Sequence, residues 1–99
     1  MKQRRRKLLG KLILDERLEG DIARSGLLDV TFAPTRADAT LVSDDGQRTV
    51  AWLSPSGEIA GLLVQDYVVG ESRRIPFAFG EIELVAEEGE LALFLLTAV

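Results

Sequence analysis

The residues of this 99-residue chain best suited to chemistry are basic. Arg4-Arg5-Arg6-Lys7 form one run and Arg73-Arg74 form a second. Arginine's planar fork meets phosphate or carboxylate oxygens two at a time, so both groups are candidate contacts for an anionic partner. Acidic residues gather at Asp44-Asp45, Glu81/Glu83 and Glu87-Glu88/Glu90. None has the Asp-x-Asp-x-Asp-Gly spacing of a calcium loop, and they read as surface residues of hairpins, so no metal site is expected. Histidine and cysteine are absent. Their absence removes disulfides, thiolate nucleophiles, Cys/His zinc sites and any Ser-His-Asp arrangement. No Gly-rich phosphate loop opens a helix, and Ser25, Ser43, Ser54 and Ser56 have no visible activating base. The expectation is a non-enzymatic protein without a cofactor.

Charge is distributed unevenly. Residues 1–11 hold Lys2, Arg4, Arg5, Arg6, Lys7 and Lys11 with no acid, giving +6. The rest of the chain holds the other six basic and all 16 acidic side chains, giving −10. A basic arm on an acidic body can dock on nucleic acid or an anionic membrane, or pack against an acidic neighbour. It can equally be a solvated terminus that aids solubility. An acidic body repels polyanions, which confines any nucleic-acid contact to residues 1–11.

The elements that must position these groups change character along the chain. Residues 7–24 contain good helix formers, and Leu8, Leu9, Leu12, Ile13, Ile22 and Ala23 share one side of a helical wheel. Asp15, Glu16 and Glu19 interrupt that side, and Gly10 and Gly20 weaken a helix. The competing reading is a strand at Lys11–Leu14, a polar turn and a short helix; a helix is favoured. From Leu27 onward the period is two. Strands are expected at Leu27–Phe32, Ala39–Ser43, Arg48–Leu53, Glu58–Val69 (one strand or two), Arg74–Phe79, Glu81–Ala86 and Glu90–Ala98. Turns fall at Asp44-Asp45-Gly46, Ser54-Pro55-Ser56-Gly57 and Glu87-Glu88-Gly89. Val42, Val50 and Trp52 are expected to point inward, and Pro76 suits an edge strand.

The fold class is therefore mostly β, a small antiparallel barrel or sandwich of about six to seven strands with a helix near the N-terminus. Residues 1–26 form the basic arm and helix, and 27–99 the β-rich domain. In the last strand Leu91, Leu93 and Leu95 face one way and Ala92, Phe94 and Leu96 the other. Apolar on both faces, it is either central and covered or part of a subunit interface, which makes Leu91, Leu93, Phe94, Leu95 and Leu96 interface candidates. This run is far shorter than the ~20 residues of a membrane span. Lys11 interrupts Leu8–Leu14 and no small-residue cleavage pattern follows, so a signal peptide is not expected. A cysteine-free chain of this kind suits the cytoplasm.

Thr49-Val50-Ala51-Trp52-Leu53-Ser54-Pro55-Ser56-Gly57 resembles the Asp/Asn-x-Ser-x-x-Gly turn of PilZ domains, small β-barrels that bind cyclic di-GMP. That family also has an upstream Arg-x-x-x-Arg motif, for which Arg4-Arg5-Arg6 is the candidate. The resemblance implies that Arg4, Arg5 and Arg6 clasp phosphates and guanines while Ser54 and Gly57 shape the turn beside the ligand. Trp52 stands where the family has Asp or Asn, and Leu8, Leu9 and Gly10 stand where the second arginine would be. The resemblance thus implies a barrel that has lost its cyclic dinucleotide. The leading expectation is a protein-interaction or assembly subunit of a larger bacterial or phage-type complex, through a protein partner or self-association.

Overall fold

The computed structural model describes residues 4–32, 38–77 and 80–98. Their order is β1 (Arg4–Ile13), α1 (Glu16–Ser25), β2 (Leu27–Thr31), β3 (Thr40–Ser43), β4 (Thr49–Leu53), β5 (Ile59–Gln65), β6 (Ser72–Phe77), β7 (Gly80–Glu87) and β8 (Glu90–Ala98). The strands make two four-stranded antiparallel sheets, β1-β8-β7-β6 and β2-β5-β4-β3. The chain is mostly β with one helix near its N-terminus, and the two sheets pack as a sandwich rather than closing into a barrel.

The extra strand is β1, which corrects the favoured helix over residues 7–24. Tertiary pairing overrides local propensity here, as it commonly does for short segments. Strand β8 is apolar on both sides and is flanked by β7 on one side; β1 covers its other side from Arg4↔Ala98 to Ile13↔Glu90. The helix begins only where a cap permits it. Asp15 accepts a hydrogen bond from the Leu18 amide at 2.8 Å, and Gly26 at φ +70° ends the last turn. Leu14 before the cap and Leu18 within the helix seal one end of the core.

The core lies between the sheets. Leu28, Ala51, Leu62 and Val64 of one sheet meet Ile75, Ile82, Leu84, Leu91 and Leu93 of the other, and all are buried. Each fully buried Leu or Ile contributes on the order of 1.5–3 kcal/mol relative to exposure. Val42 pairs with Ala51 and faces this core, as expected. By register Val50 and Trp52, expected inward, are on the opposite face with Ala51 the inward residue between them, although Val50 is buried there, as expected of an apolar core residue. Trp52 lies opposite Leu41 and Gly61, and Leu41 is exposed.

The segment Glu58–Val69 yields one strand, ending at Gln65. Asp66 then takes a left-handed φ of +52°, and Val68 and Val69 are exposed beyond it. Pro76 sits on β6, an edge strand, where its missing N–H breaks no ladder. No helix among the described residues is long and apolar enough to cross a membrane.

Candidate binding edge

The two sides of the sandwich differ. On one side β6 packs against β3 and β4. Arg73, on the same face of β6 as Ile75, is buried and reaches across to the opposite sheet. Its Nη1 donates to the Gln65 carbonyl at 2.6 Å and to Thr49 Oγ1 at 3.2 Å. Its Nη2 donates to the Asp66 carbonyl at 2.5 Å, and its Nε to the Glu71 carboxylate at 3.0 Å. That hydrogen bond from Arg73 holds the Glu71 carboxyl below its ordinary pKa; partial desolvation opposes it, and the charges of Arg73 and Arg48 reinforce it. Arg73 is a clamp between sheets, with its donors spent inside the fold.

Arg74 points the other way. On the outer face of its sheet it shares Glu83 with Arg6: Arg6 Nη2 lies 3.0 Å from Glu83 Oε1, and Arg74 Nη2 lies 3.6 Å from Glu83 Oε2. Arg74 also approaches Glu81 at 4.0 Å. The Arg6 guanidinium lies 3.7 Å above the centre of the Phe94 ring, a cation–π contact. Lys11 reaches Glu90 at 3.2 Å. Charged side chains therefore roof the outer side of β8, where Ala92 and Leu96 are also buried. Leu91 and Leu93 fill the inner core, and Leu95 is half-buried. Both apolar sides of the last strand find cover within one chain.

Sequence reasoning groups Ser54 and Gly57 with the arginines, and the fold does not bring them to Arg73. Arg73 contacts the start of β4 at Thr49, whereas Ser54 follows its end at Leu53. Five residues of strand separate them, about 16 Å. The turn satisfies itself: the Gly57 amide donates to the Ser54 carbonyl at 2.9 Å, and Ser54 Oγ accepts from the Glu58 amide at 3.1 Å. Gly57 has φ +87°, a conformation that favours glycine. Among the described residues no three acidic side chains converge as a cation site would need.

The opposite side of the sandwich is open. Strand β1 is an edge, with β8 as its only hydrogen-bonded neighbour strand among the described residues. Its outward N–H and C=O groups form a row available to another strand. Arg5, Lys7, Gly10 and Leu12 pair with Thr97, Leu95, Leu93 and Leu91, so they share the inward side of the strand. A bulge between Leu8 and Gly10 keeps Leu12 over the core while Lys11 stays outside. Beside this edge runs a groove of about 290 Å³, floored by Leu9, Leu12, Ile59 and Leu93 and flanked by Phe32, Lys11 and Glu58. Phe32 is 43% exposed. Arg5 and Lys7 continue the line beyond the apolar groove, are exposed, and form no ion pair among the described residues.

Sequence reasoning found Arg5 and Lys7 but missed Leu9, Leu12, Phe32 and Ile59. The bulge conceals the alternation of residues 4–13, and Phe32 and Ile59 come from distant segments. Compared with family models, with curated proteins and with solved structures, the chain matches none.

Proposed function

We propose that this chain is a non-enzymatic protein-interaction module that joins a larger assembly by accepting a segment of its partner along β1. One observation carries the reading: among the described residues, one edge of the ten-residue strand β1 is unpaired and runs beside an apolar groove, on the side of the sandwich away from the Arg73 clamp. Edge addition supplies main-chain hydrogen bonds for affinity, and pockets for alternate side chains supply selectivity. A cytoplasmic setting suits a chain that needs no disulfide.

The test is a random extended-peptide library panned against the intact chain, with hits titrated against two variants. Phe32→Ser opens the groove's exposed wall and should weaken binding about tenfold, the effect of losing one partly buried aromatic contact. Leu41→Ser, on the outer face of the other sheet, should leave affinity unchanged. Hits indifferent to Phe32→Ser, or a library that yields none, would overturn the reading.

A further inference from the structure

The inference that follows rests on that reading and concerns the chemistry of the partner. We infer that β1 receives, in antiparallel orientation, an extended segment with apolar residues in its N-terminal half and acidic residues in its C-terminal half.

Charge selects the occupant. Between Arg4 and Leu14 the chain has no acid. Arg6 and Lys11 are engaged on the outer face by Glu83 and Glu90, but Arg5 and Lys7 have no ion pair among the described residues. A second copy of the chain is a poor occupant. Two antiparallel β1 strands paired over residues 5–12 would set Arg5 and Lys7 of each beside Leu12 and Gly10 of the other, so neither cation gains an acidic partner and two basic strands lie side by side. The basic edge thus rejects its own kind and admits an acidic strand, so that repulsion and attraction both contribute to selection.

Position orders the segment. The inward side of β1 runs from Arg5 and Lys7 to the apolar groove at Leu9 and Leu12. The sheet is antiparallel throughout, and antiparallel pairing is the slightly more stable form per residue. An antiparallel partner therefore lays its C-terminal half beside Arg5 and Lys7 and its N-terminal half along the groove. Side chains two apart share a face, so carboxylates at alternate positions reach both cations, and branched apolar residues at alternate positions enter the groove.

The test uses two fluorescent ten-residue peptides of identical composition, titrated by anisotropy. One has valine and leucine at alternate N-terminal positions and glutamate at alternate C-terminal positions; the other has the order reversed. The first should bind about tenfold more tightly than the second, and Arg5→Glu/Lys7→Glu should remove that advantage. Added salt should weaken the first peptide more than the second. Equal affinity for both peptides, or affinity untouched by the double variant, would overturn the inference. If neutral or basic library peptides bind at β1 instead, the acidic preference falls and the module reading stands. If no peptide binds at β1, both fall. A salt-stable dimer paired through β1 would identify the occupant as a second copy and refute the choice made here.

Discussion

Arg73 and Arg74 are neighbours in sequence with opposite surroundings, and the strand's parity explains it. Arg73 shares its side of β6 with Ile75, which is fully buried, so alternation alone marks Arg73 as the inward member of the pair. Its guanidinium serves three carbonyls, a hydroxyl and a carboxylate from separate segments. Arg73→Ala leaves the Gln65 and Asp66 carbonyls without their donor and should cost about 2–4 kcal/mol in urea unfolding. Arg73→Lys should recover only part of it, because an ammonium lacks the fork that spans these acceptors. The same contact sets a pH dependence. Glu71 has a depressed pKa when folded, so its contribution is present above the ordinary value of 4.5 and is lost as pH falls through the folded-state value. Thermal unfolding followed from neutral to acid pH should show a steeper acid limb for the parent than for Glu71→Gln.

At the scale of elements, the strands from Leu27 onward were legible because their period of two is clean and Gly, Pro and Asp mark their ends. The Asp44-Asp45-Gly46 hairpin is one example: Asp44 Oδ1 accepts from the Thr49 amide at 2.9 Å, and Gly46 takes φ +83°. Strand β1 was illegible because the Leu8–Gly10 bulge shifts its alternation by one, and because what makes it a strand is β8, more than 75 residues away. The inward placing of Trp52 failed for a related reason, since hydrophobicity does not reveal register and a one-residue choice reverses the face. The candidate edge was half legible. Its cations stand together in sequence, but its groove is assembled from four separated segments. Two glycines test the element picture. A Cβ at Gly80 would overlap the Leu96 carbonyl oxygen of β8, so Gly80→Ala should lower stability by about 1–3 kcal/mol. Nothing lies within 4 Å of such an atom at Gly10, so Gly10→Ala should be nearly neutral in the same denaturation assay.

At the scale of the whole molecule, asymmetry is the organising fact. One side of the sandwich is locked by Arg73 between β6 and the β4–β5 sheet, and the other ends in two edge strands, β1 and β2. Positive charge is concentrated on the strand with the free edge, while the rest of the chain is acidic. Edge cations are a common device against promiscuous pairing. Beside an apolar groove, the same cations sort partners by charge rather than excluding all of them. Hydrogen exchange of backbone amides, read with and without the apolar–acidic peptide, tests this most directly. Alternate amides between Arg5 and Leu12 should become protected when the peptide is bound, with the amides around Leu41 and Trp52 unchanged. Protection at Leu41 and Trp52 with β1 exchanging as before would contradict it.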